Sequence, residues 1–410
     1  MAADALEVLL GDRRIGLITA LGGDQSIFVF DDAYAEDPDR PTLSLSFKGE
    51  RGGLLRDHRP TQTRLMPFFS NLLPEGPLRD YLAKRAGVKP VREHPLLETL
   101  GLDLPGAVSV RPKGDGEIDD GDVAEGDQAA GSGAEPKAAL RFSLAGVQLK
   151  FSAVQKAQGG LTIPASGRGG DWIVKLPSMR FPAVAANEFS MMRLARAMGM
   201  DIPDVELLPL DQIEGLPEGL GKFEEEAFAI RRFDRPLKGP PVHIEDFAQV
   251  FGVYPAEKYD KGSYRNIAKV LWLETGEAGV SEFIRRLVFN ALIGNADMHL
   301  KNWSLIYPDG RTPKLAPGYD FLSTTLYLPD ENAALKFART KKVAELTLGE
   351  LTYMAAKAGV PEALVKDAAT AAVDRFHQVW GQERAHLPIS SALEAEIERL
   401  IGVIPLAQGR

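Results

Sequence analysis

SEFIRRLVFNALIGNADMHLKN, residues 281–302, carries two signals back to back. In its first half Phe283, Ile284, Leu287, Val288, Ala291 and Leu292 recur at spacings of three and four, the pattern of an amphipathic helix. Ser281 suits the N-cap and Gly294 the C′ position, so the helix is expected to stop at Gly294. The second half turns polar, with Asn295, Asp297, His299, Lys301 and Asn302. Asp297 and Asn302 stand in the D-x-x-x-x-N spacing of a phosphotransferase catalytic loop, where the Asp handles the acceptor proton and the Asn holds a metal ion. Further on, Tyr319-Asp320-Phe321 comes after the apolar Leu315 and Ala316 and offers Asp320 as the second metal ligand. A polar loop capping a core helix would give the same spacing, so the reading needs the rest of the machinery.

Composition narrows the field. At 410 residues the chain is expected to hold two or three domains, and 44% hydrophobic with 26% charged residues is a globular balance. The absence of cysteine excludes disulfides, thiol catalysis and cysteine-ligated zinc. Six dispersed histidines, none in H-x-x-x-H spacing, argue against a histidine-built metal site. With no basic-then-apolar leader pattern and no apolar run near the ~20 residues of a membrane span, the expected place is the cytoplasm, with no membrane partner. The net charge of −9 is concentrated: residues 113–137 hold eight acids against Lys113 and Lys137, so the remaining chain is close to neutral. That stretch, with six glycines and almost no large apolar residue, reads as a flexible linker.

Around it the chain divides into 1–112, a mixed β/α unit; 113–139, the acidic linker; 140–235, strand-rich; and 236–410, helix-rich. In the first unit Leu6–Leu10 and Ile15–Leu17 read as a hairpin over Gly11-Asp12, Ser26–Phe30 and Leu43–Phe47 as strands. Residues 65–76 read as a packed turn before a helix from Pro77 to Arg85. Later strands are expected at Leu140–Leu144, Leu149–Val154, Trp172–Leu176, Val205–Leu210 and Phe228–Phe233, with a glycine-rich tip at Gly167–Gly170 and a helix from Ala183 to Met198. Further helices are expected over 244–252, 263–274, 281–293, 347–359, 361–380 and 390–402. Strands first and helices after make an α+β, two-lobed layout, with room for a nucleotide between the lobes.

A phosphotransferase also needs a lysine for the phosphates, a partner to hold it and a cover. Lys175 lies in the apolar strand WIVKL, where an unpaired amine would be costly to bury. Glu188 borders the apolar face of the next helix and could hold that amine, the strand-lysine and helix-glutamate arrangement of protein kinases. The turn running from Ser143 through Ala145, Gly146, Val147 and Gln148 to Lys150 could cradle phosphate oxygens on its backbone N–H groups. A strand-edge lysine, a solvated glutamate and an ordinary turn are the plainer readings of each taken alone.

These segments together resemble the HipA family of bacterial toxin kinases: RFSLAGVQLKFSA, WIVKLPS, NEFSMMRLARAMG, FAIRRFDR, HIEDFAQVFG, KYDKGSYRNIAKVL, FNALIGNADMHLKNWSLIY and LAPGYDFLST, in that order, preceded by FFSNLLPEGPLRDYLAKR. The resemblance implies a serine/threonine protein kinase with a eukaryotic-kinase-like core, using ATP and Mg²⁺. It implies the toxin of a toxin–antitoxin pair, restrained by a small helix-turn-helix antitoxin (HipB-like), with an aminoacyl-tRNA synthetase as the kind of protein substrate. DNA contact would belong mainly to the antitoxin. It further implies Asp297 as base, Asn302 and Asp320 on Mg²⁺, Lys175 on phosphates, and Arg231 to Phe233 as the adenine hinge. Ser143 matches the family's autophosphorylated serine, and a phosphate there brings up to −2 of charge beside a loop that must hold ATP. Two features depart from the family pattern: Arg231 stands where an acid is common, and the acidic stretch is long. His299 stands where protein kinases often carry lysine, which makes it a loop brace or a γ-phosphate contact; Lys301 is grouped with it in the catalytic loop. The cluster Lys336, Arg339, Lys341 and Lys342 could meet DNA phosphates or simply face water. Rival readings are a small-molecule phosphotransferase and a kinase fold serving as co-repressor beside a DNA-binding partner.

Overall fold

The computed structural model describes residues 4–114, 150–156, 160–163, 169–178, 180–216, 226–328 and 332–409. The expected strand at 140–144, the turn from Ser143 to Gln148, most of the acidic linker and part of the glycine tip lie outside the described residues.

Strict alternation builds the first sheet. In β1 (Ala5–Leu10), Leu6, Val8 and Leu10 point inward. The chain turns at Gly11, whose φ of 59° suits glycine. It returns as β2 (Arg13–Leu21), pairs with β3 (Gln25–Phe30), adds the short β4 (Thr61–Gln62), and closes with β5 (Val108–Pro112) against β1. Helices α1 (Asp32–Ala35), α2 (Pro67–Ser70), α3 (Gly76–Arg85) and α4 (Glu93–Leu100) accompany it. Phe28, Phe30, Phe47, Phe68 and Phe69 form its aromatic core. Leu43–Phe47 is not a strand: Leu45–Phe47 is a single 3-10 turn, capped by Ser44, whose hydroxyl accepts from the Ser46 amide. Leu43, Leu45 and Phe47 alternate with serines in the sequence, but Ser44 is buried along with Leu43 and Phe47, and its cap wins the backbone.

The second sheet has the order β10-β7-β6-β8-β11-β9, from β6 (Lys150–Gln155), β7 (Leu161–Thr162), β8 (Trp172–Lys175), β9 (Val205–Pro209), β10 (Ile213–Glu214) and β11 (Glu226–Arg231). Helix α5 (Val184–Ala197) packs on β9 and β11. Within β8, Trp172 and Val174 go into the sheet's own core while Lys175 projects from the other face.

The third part is a short sheet, β12 (His243–Asp246), β13 (Ser304–Tyr307) and β14 (Lys314–Leu315), on a helical mass of α6 (Phe247–Val250), α7 (Tyr264–Leu292), α8 (Leu348–Ala358), α9 (Glu362–Glu383) and α10 (Ser391–Val403). Residues 244–252 therefore split: a strand first, then one helical turn opened by the Asp246–Gln249 capping box. The helices expected at 263–274 and 281–293 are one element broken at Gly276 (φ 67°, ψ −154°), a conformation open to glycine alone. Ser281 is thus inside the helix, and Ser263 is its N-cap. The far end behaves as expected. Gly294 (φ 71°) donates to the Ala291 carbonyl at 3.2 Å and Asn295 to the Asn290 carbonyl at 2.8 Å, a Schellman stop. Among the described residues no helix is long and apolar enough to cross a membrane.

The first unit is docked onto the third by buried polar contacts. Glu245 on β12 accepts from the Ser44 hydroxyl, from the Leu45 amide at 3.0 Å and from the Tyr307 hydroxyl. The Asn71 amide donates to the Val253 carbonyl at 2.7 Å, and Gln249 donates to the Phe68 carbonyl at 3.0 Å.

Candidate active site

The Schellman stop at the end of α7 aims the next loop across the cleft. Asn295 staples it: its side-chain amide donates to Asn290 Oδ1 at 2.8 Å and to the Asp320 carbonyl at 3.0 Å, while its Oδ1 accepts from the Asp297 amide at 3.1 Å. Two segments far apart in sequence, 295–302 and 320, are thereby fixed to each other. Asn302 donates its Nδ2 to the Asp297 carbonyl at 2.8 Å. That assignment leaves the Asn302 amide oxygen as the group available to a cation.

Lys175 reaches the same place from β8. Its amine contacts Glu188 Oε1 at 2.6 Å and also pairs with Asp320 Oδ1. The structure thus brings together Lys175, Glu188 and Asp320 from a strand, a helix and a loop. Lys150 stands directly opposite Lys175 on β6, so a second ammonium faces the same space. Glu188 is 1% exposed, and one ammonium must serve two carboxylates. Burial would raise Asp320, but Lys175 and then Lys150 outweigh it and hold that carboxyl at about 2. Glu188 goes the other way: burial pushes it to about 7, against the pull of Lys175 and with the help of the Asp320 charge. Lys175 stays protonated, because the two carboxylates outweigh its own burial. Asp320 sits at φ 58°, an uncommon backbone state for a side-chain-bearing residue and one that aspartate tolerates.

Asp297 is half-buried, and one of its oxygens accepts from the Tyr259 hydroxyl at 2.6 Å. Burial raises its carboxyl above the usual range, with Tyr259 opposing and the Asp320 charge adding to the rise. His299 packs edge-on against Tyr259 at 4.9 Å between ring centroids. Burial, and secondarily the Lys258 charge, lowers it to about 3, so it is a neutral imidazole at pH 7. Lys301 turns away from Asp297: its amine contacts Glu75 at 2.9 Å and the Asn71 carbonyl at 3.0 Å.

The expected hinge is less open than anticipated. Strand β11 ends at Arg231, before Phe233. The Arg231 side chain pairs with Asp171 at 3.0 Å, and the Arg231 and Arg232 amides donate to the Asp204 and Asp171 carbonyls at 2.8 and 2.7 Å. Phe233 lies 5.8 Å from Tyr319 between ring centroids, and the Tyr319 hydroxyl donates to the Lys301 carbonyl at 2.9 Å. In the basic cluster Arg339 is spent on the buried Glu350 and Lys342 on Glu345. Lys341 donates to the Ala334 and Tyr259 carbonyls at 2.9 and 3.3 Å.

Sequence reasoning names Asn295 only as part of the polar loop, with no role, and does not single out Tyr259, Glu75 or Lys258 as members of the site. A signal for Glu75 is present: it is the one charged residue in the turn 65–76, between Pro74 and Gly76. Among the described residues no three carboxylate or histidine side chains gather into a self-sufficient metal site. Asp320 and the Asn302 oxygen are hard donors of the kind that hold Mg²⁺ together with nucleotide phosphates and water, so the residues fit that ion.

Paired lysine and glutamate on a strand and a helix, with an Asp/Asn loop below, define the class: a two-lobed, protein-kinase-like α+β fold. The family model of the HipA N-terminal domain matches residues 6–111, and that of the HipA-like C-terminal domain matches residues 142–380. The chain belongs to the HipA family. It is 56% identical over 396 residues to "Putative kinase Y4dM" of Sinorhizobium fredii, covering 96% of this chain and 95% of that one. It is 27% identical over 358 residues to the serine/threonine-protein kinase toxin HipA of Shewanella oneidensis, covering 78% and 76%. Its fold is similar to a chain of the Shewanella oneidensis MR-1 complex of HipA, HipB and operator DNA, with TM-score 0.72 at 22% identity over 98% of this chain and 96% of that one.

Proposed function

We propose that this chain is a Mg²⁺- and ATP-dependent protein serine/threonine kinase acting as the toxin of a toxin–antitoxin pair. The observation that carries the reading is the meeting of Lys175, Glu188 and Asp320 beside the Asn295-stapled loop that bears Asp297 and Asn302.

In this reading the Lys175 ammonium, oriented by Glu188, pairs with transferring phosphate oxygens, and Lys150 adds charge on the same face. Asp320 and Asn302 would hold Mg²⁺, which supplies charge neutralisation when bound. Asp297 accepts the proton of the attacking hydroxyl; its raised pKa brings it nearer the value at which a carboxylate is a useful base. The protein's contribution is positioning and electrostatics, since phosphoryl transfer asks little covalent work of it. His299, neutral and buried against Tyr259, suits a brace of the loop more than a phosphate contact. Adenine is proposed to sit near Arg231 and Phe233, and the turn from Ser143 to Lys150 to cover the phosphates, with Ser143 as the self-modified residue.

The partners proposed are a small HipB-like helix-turn-helix antitoxin, through which DNA is met, and a protein substrate of the translation machinery such as an aminoacyl-tRNA synthetase. The likeness to a chain solved with HipB and operator DNA supports the antitoxin. The pairing of Arg339 with the buried Glu350 supports leaving DNA to the partner. The test is γ-labelled ATP with the purified protein and a cell extract, every labelled band identified by mass spectrometry. Label on protein serine or threonine is expected; label confined to small molecules would replace this reading with a small-molecule phosphotransferase.

A further inference from the structure

Glu75 occupies the N-cap of α3 between Pro74 and Gly76, and its side chain accepts no hydrogen bond from its own helix. Glutamate is a poor choice for an N-cap. Here it stands in extended backbone between Pro74 and Gly76, the latter at a φ of 55° that suits glycine. The carboxylate is used outside its own unit: one oxygen contacts Lys258 Nζ at 2.8 Å, the other Lys301 Nζ at 2.9 Å. Burial would raise its pKa, yet Lys301 and then Lys258 hold it at about 2, so it is a permanent anion.

Each of those lysines is the chain neighbour of a residue that touches Asp297. Tyr259, beside Lys258, donates its hydroxyl to Asp297 Oδ1 at 2.6 Å. Asn302, beside Lys301, donates to the Asp297 carbonyl at 2.8 Å. One carboxylate from the N-terminal unit therefore ties down both flanks of Asp297, and removing its charge leaves the Lys258 and Lys301 ammonium groups sharing a half-buried place, with Asp246, 3.9 Å from Lys301, as a further acid.

We infer that Glu75 is a positioning residue for phosphoryl transfer, which makes the N-terminal unit a working part of the catalytic centre. The inference rests on the kinase reading above. Docking of the N-terminal unit does not depend on Glu75, because Asn71 on Val253, Gln249 on Phe68 and the Glu245 cluster hold it independently. Partly exposed ion pairs add little to stability. Displacement of a catalytic group by about 1 Å, in contrast, costs on the order of 100-fold in rate.

The test uses the full chain with Glu75→Gln, which keeps shape and removes charge, alone and combined with Lys258→Gln. Three quantities are read: ATP affinity by calorimetry, kcat and KM for transfer, and hydrogen exchange of peptides spanning 256–261 and 295–303. The expected result is a kcat lowered roughly 10- to 100-fold with ATP affinity within about twofold. Exchange should speed in those two segments and stay unchanged in β1–β3, and the double variant should be no worse than the single one. Wild-type kcat and wild-type exchange in Glu75→Gln would overturn the inference. If the unaltered protein transfers no phosphoryl group, the kinase reading fails on its own. Exchange then still decides about Glu75: faster exchange upholds the clamp, and unchanged protection over 295–303 overturns it.

Discussion

Two carboxylates share the Lys175 ammonium, and the protein resolves the conflict by giving them different burial. Glu188 is sealed on the inner face of α5 while Asp320 keeps nearly a third of its side chain in solvent, so the charge that faces the cleft belongs to Asp320. Asp320→Ala is expected to abolish the Mg²⁺-dependent part of ATP binding, seen by calorimetry with and without the ion; undiminished Mg²⁺ dependence would remove Asp320 from the metal. Glu188→Gln keeps the shape but frees the lysine from its orienting charge. Its kcat should fall on the order of 10- to 100-fold with the fold intact, as measured by transfer kinetics and thermal melting. Single residues are legible in the sequence when their type is costly where they stand, as Lys175 is, or when their spacing repeats a known loop, as that of Asp297 and Asn302 does; Glu188 and Asp320 are legible only beside those. Tyr259 and Glu75 are not legible, because their meaning comes only from what they touch across the fold.

Among the elements, the stop of α7 matters most. Gly294 closes the helix, and a Cβ there would meet Thr325 Oγ1 at 2.2 Å and Leu400 Cδ1 at 2.7 Å. Gly294→Ala therefore carries both left-handed strain and a clash, and a loss of about 1–3 kcal/mol is expected by denaturant melting. The loop that bears Asp297 leaves from this point, so transfer should fall by more than the stability change explains. A variant as stable and active as the parent would mean that the loop does not take its direction from this stop. The helix end is readable because a glycine after an apolar repeat is a local signal. The beginning is misread because Ser281 is an acceptable cap in isolation, whereas the break needs the particular backbone of Gly276. Strand β12 passes for helix for a related reason: four residues that pair with β13 carry too little local pattern to outvote the helical turn after them.

For the whole molecule, the seam between the N-terminal unit and the helical part carries its own pH dependence. Glu245 is fully buried there, and burial pushes its carboxyl up to about 7 despite hydrogen bonds from Ser44, Tyr307 and Leu45. A carboxyl with a folded pKa above its unfolded value binds its proton more tightly in the folded state. Its contribution is therefore greatest at low pH and fades as pH rises from about 4.5 through about 7, by roughly 3 kcal/mol at most. The melting temperature of the parent relative to that of Glu245→Gln should drop between about pH 5 and about pH 8; a difference that does not change with pH would place the pH dependence elsewhere. The seam is invisible in the sequence: Ser44 is distant in the chain from Glu245 and Tyr307, and although those two lie inside family segments, nothing in the segments says what they meet. The two-lobed layout, by contrast, is legible from strands preceding helices. Function across the cleft turns on whether Asp297 serves the same phosphoryl site that Lys175 and Asp320 build. Single-turnover transfer from γ-labelled ATP with Mg²⁺, comparing the protein with Asp297→Asn, decides the matter. ATP binding should be unchanged and transfer lost in the variant, whereas transfer at the parent rate would take Asp297 out of the reaction.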